Sequence, residues 1–324
     1  MGNRSGASRV RGSLPLPSCT FDAYDTRNVI CADASEDALR SMRDECLRLH
    51  RAFNRFSSES EISRLAAADG ESFECSSELA ILLQLSLSLH SESKGAFNPA
   101  LGPVMDSWRF AADAFCMPDG ESLRAALAAS DPSRIRLDGK IAVLPRGMRL
   151  DLGGVAKGFA AEVAASMACA LGAKRGFLNF GGTICVLGPK PDGDAWSFGL
   201  PDAGVPYGAG FWAVLHARAG SFATSSPAYR GVDCNGTRLH HIIDPRTGRP
   251  VSNGVAEVTV HAQGAAMADA LSTTLFVMGA EEGMAFARDL GVGALMRMDG
   301  GTVVMTRDFP AVIVDESAEV EVVG

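Results

Sequence analysis

Apolar positions along the chain follow two periods. In "EDALRSMRDECLRLHRAFNRF", Ala38, Met42, Cys46 and Leu49 recur near helical spacing behind Ser35, a residue type that caps helix N-termini. "FSSESEISRL" reads as a polar turn and a short helix, and "SSELAILLQLSLSLHSES" as a second helix capped by Ser76 or Ser77. "KGAFNPALGPVMDSWRF", with Pro99, Pro103 and two glycines, reads as loop. "VAKGFAAEVAASMACALGAKRG" is a long helix ended by Gly172, "AAMADALSTTLFVMG" a helix closing at Gly279, and "EEGMAFARDLG" a further helix. Alternation by two marks "FDAYDTRNVICAD" as a first strand and "IRLDGKIAVLPRGMRL" as a hairpin turning at Asp138-Gly139. It continues through "GFLNFGGTICVLG", "WSFGL", "AVLHARAGSFATS", "VAEVTVHA" and three short strands near the end. Strands arrive as hairpins more than as β-α-β units. This predicts an α+β fold, mainly antiparallel sheets with packed helices. Residues 1–18 are expected to be a disordered tail and residues 19–324 a single domain, without internal repeat or long linker.

Composition narrows the function classes. The 324 residues carry a net charge of −8, which argues against nucleic-acid binding, since that needs a basic face. An anionic ligand would have to be held locally, by backbone amides, a few basic groups or a metal. The eight cysteines form no C-x-x-C pair, so neither a zinc site nor a disulfide framework is indicated. The first residues lack an apolar signal-peptide region, and no run of about 18 uncharged apolar residues exists to cross a membrane. The expected location is the cytoplasm, with no membrane insertion. A chain already cleaved of an export signal would read the same way.

Three stretches carry candidate chemistry. In "LHHIIDPRTGRPV", an extended chain turns Leu239, His241 and Ile243 to one side and His240, Ile242 and Asp244 to the other. Pro245 stops the strand at Asp244. A strand end with a satisfied Asp competes here with a catalytic histidine. In "RLDLGGVAKGFAAE", Gly153-Gly154 at a helix start lets backbone amides approach an anion, with Lys157 one turn in. A plain strand-to-helix turn with a surface lysine fits as well. In "MADALSTTLF", Asp269 and Thr273 share a helix face among apolar neighbours, and a buried carboxylate needs a partner. A hard cation is one such partner; a local cap is another. "GSFATSSPAYR" and "NFGGT" add small residues and hydroxyls suited to close ligand approach, or simply to turns.

Taken together, "DLGGVAKGFA", "HHIIDPRTGRP" and "ADALSTTLFVMG", in this order, resemble the ApbE family of FAD:protein FMN transferases. "FSSESEISRL", "GAFNPALGPVMDSW" and "ATSSPAYR" extend the resemblance over roughly residues 20 to 310. It implies an ApbE/T-fold-like architecture. It also implies Mg²⁺-dependent transfer of FMN from FAD to a Ser or Thr hydroxyl of an acceptor flavoprotein with a D-x-x-[ST]-G-A-[ST]-like site, releasing AMP. The alternatives are an FAD pyrophosphatase using water, and a flavin-binding protein without catalysis.

By motif, the resemblance implies Asp269, Thr273 and the Ala156 carbonyl as Mg²⁺ ligands, and His241 with Asp244 as the catalytic pair. It assigns Asp151, Gly153, Gly154, Lys157, Gly181, Gly182, Thr224, Ser225, His241, Ile243 and Pro245 to FAD binding. His240 ranks below His241 because it faces the other way. The chain departs from the family pattern at Thr183, where Asp is usual after Gly-Gly, at Ser226, where Gly is usual, and at "YDT" (24 to 26), where Met-Gly-Thr is usual. "RSGAS" resembles an acceptor site around Ser5, but Gly2 stands in the Asp slot, so self-flavinylation is not expected.

Overall fold

Nine strands form the main sheet, and each lies beside its successor in the chain. In spatial order they are Ser18–Ala23, Thr26–Ala32, Gly176–Phe180, Thr183–Gly188, Gly220–Ser225, Val255–Ala262, Gly293–Met298, Val303–Thr306 and Val320–Val323. Neighbours are antiparallel, except that Val303–Thr306 and Val320–Val323 run parallel. This computed structural model describes residues 15–110, 117–202, 210–229, 231–234 and 237–324. The expected tail falls mostly on residues 1–14, which with Ser5 lie outside the described residues. Leu16 and Pro17 already lean on the sheet edge, where the Pro17 carbonyl accepts the Ala32 N–H at 3.1 Å.

Alternation sorts the sheet's side chains into two cores. Ile30, Ala223, Val258 and Val260 join the larger, with the helices Glu36–Ala52, Ala156–Ala170 and Ala265–Met278. Val29, Ile184, Phe222 and Leu295 face the other way, against a three-stranded sheet ordered Ala311–Ile313, Phe211–Ala217, Trp196–Pro201. The result is a helix, sheet, sheet layering, with antiparallel pairing dominant as the strand pattern predicts. The larger core draws on residues from Phe21 to Val304.

The caps act where expected. Ser35 Oγ accepts the Ala38 N–H and Ser76, rather than Ser77, accepts that of Leu79. Three expectations change. The first strand is a hairpin, turning at Tyr24 and Asp25, both at positive φ. Part of the segment read as loop is a helix, Gly102–Trp108, which tolerates Pro103 in its first turn because the missing N–H would have had no partner there. The end of the chain holds four strands, of which Ala311–Ile313 joins the smaller sheet.

Candidate functional site

Helix Ala265–Met278 is apolar nearly all round and packs on the sheet beside helix Ala156–Ala170. Asp269 sits in it, 4% exposed. A carboxylate so placed must be compensated, and three residues on two elements supply donors. Lys157 Nζ lies 3.0 Å from Oδ1 and 3.3 Å from Oδ2. The Gly158 N–H donates to Oδ2 at 2.9 Å. Thr183, first residue of its strand, donates its hydroxyl to Oδ1 at 3.2 Å. The contact is tight because residue 158 has no side chain: a Cβ there would stand 2.2 Å from the Ala265 carbonyl oxygen. The two helices are also tied at one end, where Glu162 Oε2 accepts the Ala266 N–H at 3.0 Å.

One turn along, Thr273 faces the Gly153-Gly154 turn; a Cβ on Gly154 would lie 3.4 Å from Thr273 Oγ1. Ser225, at the end of its strand, stands 3.2 Å from Thr273 Oγ1 and 2.9 Å from Ser272 Oγ. Thr224 takes the opposite face and pairs its hydroxyl with Thr259 at 3.0 Å. It also borders the second glycine turn, since a Cβ on Gly182 would lie 3.9 Å from Thr224 Cβ. Gly181 and Gly182 both have positive φ, and the Gly182 N–H is held by Asn179. Thr26 packs against Gly181, so the unusual "YDT" still delivers its threonine to this turn. Asp151 shapes the first glycine turn by accepting the Gly153 N–H at 2.9 Å, and Arg55 Nε lies 3.3 Å from its other oxygen.

The two histidines separate as the alternation predicts. His240 is buried: its Nε2 pairs with the Val251 carbonyl at 2.9 Å, its Nδ1 accepts the Ile242 N–H, and its ring meets Phe276 edge-on. His241 is partly exposed, in a bend that follows strand Thr237–His240. The strand expected to run through to Asp244 breaks at this bend and resumes as the short pair Ile243–Asp244 with Arg249–Pro250. Both Asp244 oxygens engage Arg246, and its carbonyl accepts the Thr247 and Gly248 N–H groups. The carboxylate thus organises the turn. Ile243 packs with Val104, Trp108 and Leu123 beneath the turn, and Pro245 is partly buried within it. Trp108 Nε1 clasps the turn through the Gly248 carbonyl at 2.7 Å.

The structure therefore brings Lys157, Gly158, Thr183, Asp269, Thr273, Ser225 and Gly154 to one place. Ala156 opens the adjoining helix, its N–H bonded to the Leu152 carbonyl at 2.8 Å. Among the described residues no three His, Cys, Asp or Glu side chains cluster as a metal site. The donors at hand are one carboxylate, hydroxyls and a helix-start carbonyl. These are hard oxygens, and with a single carboxylate they fit a hard cation whose shell is completed by substrate phosphate and water. The ammonium now resting on Asp269 shows that the pocket accepts positive charge. Sequence reasoning missed Ser272, Arg55 and Trp108, and treated Thr183 only as a departure. Ser272 had a signal, three residues after Asp269 in the same helix; Trp108 and Arg55 act across long sequence separations and had none.

A buried carboxylate thus stands beside a lysine, a row of hydroxyls and two glycine turns. The chain belongs to the ApbE family, whose model matches residues 18–296. It is 36% identical over 234 residues to the FAD:protein FMN transferase of Treponema pallidum (strain Nichols), covering 66% of this chain and 64% of that one. It is 33% identical over 315 residues to the FAD:protein FMN transferase of Rhodobacter capsulatus, covering 90% of this chain and 56% of that one. The chain thus spans less than two thirds of the length of these two relatives. The crystal structure of the ApbE protein of Thermotoga maritima superposes with a TM-score of 0.82 at 26% identity, over 90% of this chain and 97% of that one.

Proposed function

We propose that this protein transfers FMN from FAD to a Ser or Thr hydroxyl of an acceptor flavoprotein, releasing AMP, with Mg²⁺ at Asp269, Thr273 and the Ala156 carbonyl. The observation that carries the reading is the junction of Lys157, Asp269 and Thr183 beside the Gly153-Gly154 turn. A divalent cation there supplies charge neutralisation for a pyrophosphate and for the leaving phosphate.

The chain's own groups divide the remaining work. The two glycine turns, without side chains, let a ligand approach the backbone closely, and the N-terminal end of helix Ala156–Ala170 favours negative charge. Lys157 adds a mobile cation. His241, one residue beyond the buried His240, takes the proton of the acceptor hydroxyl as its oxygen attacks the FMN phosphorus. The pyrophosphate bridge P–O bond breaks, and AMP departs with the electron pair. His240 and the Trp108 clasp hold the segment that carries His241.

The test mixes protein, FAD and Mg²⁺ with and without an acceptor polypeptide bearing Asp-x-x-Thr-Gly-Ala-Thr, and quantifies AMP, free FMN and covalent flavin. Acceptor-dependent AMP together with covalent flavin is expected. AMP with free FMN, independent of acceptor, would replace the transferase by a hydrolase. Bound FAD without either product would leave a flavin-binding protein.

A further inference from the structure

Asp269 already has every partner it can use. Oδ1 takes Lys157 and Thr183, and Oδ2 takes Gly158 and Lys157 again. A metal ion cannot join this carboxylate without displacing something. The three donors differ in what they can give up. The Gly158 N–H belongs to the helix backbone, which packs so closely on Ala265 that a Cβ at 158 would stand 2.2 Å from the Ala265 carbonyl oxygen, so it cannot leave Asp269 without moving the helix. Thr183 begins a central strand of the main sheet, paired through Phe180, and its hydroxyl is neutral. Lys157 is the cationic partner, its side chain 23% exposed against 5% for Asp269, on a flexible four-carbon stem.

We propose that Lys157 is a releasable counter-cation, which neutralises Asp269 in the free protein and leaves it when a divalent cation binds. The inference rests on the reading of Asp269 as a metal ligand given above. An ammonium and a divalent cation compete for one buried carboxylate, because like charges at contact distance repel strongly where water is scarce. A buried carboxylate left with neither is also costly. The two cations therefore exchange. The freed ammonium has a destination, since Lys157 is the second residue of the helix that follows the Gly153-Gly154 turn, where a diphosphate would lie. Metal and dinucleotide then reinforce each other: each removes the reason for Lys157 to stay on Asp269. In the free protein, metal affinity is reduced by the fraction of molecules in which Lys157 already occupies the carboxylate.

The test is Mn²⁺ binding to the full chain without FAD, followed by the electron paramagnetic resonance of free Mn²⁺, with thermal melting in parallel. Lys157→Met and Lys157→Gln are compared with the unmodified protein; the Gln variant keeps a donor for Asp269 and guards against loss of folding. Both are expected to bind Mn²⁺ about tenfold more tightly. Both are expected to melt lower without metal and to gain more from Mn²⁺ than the unmodified protein does. Thr183→Val, which removes a neutral donor, is expected to change affinity less. Equal or weaker Mn²⁺ binding in both lysine variants overturns the counter-cation role and leaves the metal site standing. Binding that is absent throughout, or that survives Asp269→Asn unchanged, overturns the metal reading and this inference with it.

Discussion

Gly158 and Asp269 are pressed together: a Cβ on the glycine would stand 2.7 Å from Asp269 Cβ. Close packing of helix on helix is what lets the Gly158 N–H reach the carboxylate at 2.9 Å. Gly158→Ala must push the helices apart against backbone, since the nearest atom is the Ala265 carbonyl oxygen. We expect a loss of about 1–3 kcal/mol in denaturant unfolding, together with weaker metal binding, because the shift moves the carboxylate. A variant as stable as the parent would show that the helices have slack.

In the proposed reading His240 is structural and His241 is the base. His240→Ala leaves the Val251 carbonyl and Ile242 N–H without their partner and opens space at Phe276. It should cost about 1–3 kcal/mol of stability. His241→Ala should leave the melting temperature nearly unchanged and lower turnover by about 10²–10⁴-fold. Paired melting and turnover measurements decide; the reverse pattern would exchange the two roles.

Glu257 lies far from water in the second core, where burial raises its carboxyl to about 8 despite the Trp212 Nε1–H donating to it at 3.0 Å. The folded state keeps the proton where the unfolded chain has lost it. Stability contributed by the neutral acid is thus present in full below the ordinary glutamate range near ~4.5 and declines as pH rises to about 8. Glu257→Gln can still accept from Trp212. It should flatten this decline and stabilise the protein at pH 8 by a few kcal/mol on the order-of-magnitude scale of such shifts. Melting temperatures at pH 5, 6, 7 and 8 for both proteins test it; parallel curves would exclude Glu257 as the source.

Glu162 reaches across to the first turn of helix Ala265–Met278 and accepts the Ala266 N–H. Glu162→Ala removes a charged cap from a helix that has no side-chain cap of its own. A cost of about 1 kcal/mol is expected, visible as earlier hydrogen exchange in residues 265–269. Unchanged exchange there would show that the cap is redundant.

The sequence made the helices and most strands legible because caps and period survive without tertiary knowledge. Ser35 and Ser76 marked true starts, and Pro245 marked where the strand ends. The hairpin at Tyr24-Asp25 was hidden because its two turn residues take positive φ without being glycine. At the site, alternation correctly set His240 against His241, and helical spacing put Asp269 and Thr273 on one face. It also required Thr224 and Ser225 to diverge, which a motif shared by both obscures: Ser225 meets Thr273 while Thr224 meets Thr259. Thr183's bond to Asp269 spans 86 positions of chain. Arg55, Asp106 and Asp151 likewise meet only through the fold. Periodicity carries no information about such pairings.

The main sheet is laid down in the order in which the chain is made. During synthesis each strand can find its neighbour among residues already emerged, without waiting for distant ones. The site does not share this economy. Its glycine turns and Lys157 emerge long before residues 265–278, so a nascent chain ending near Ala262 carries six adjacent strands and the lysine, but not the carboxylate that holds it. If the proposed function holds, ligand binding at this site would report that the chain has been made at least through residues 265–278, and nucleotide retention would serve as a check on truncated products.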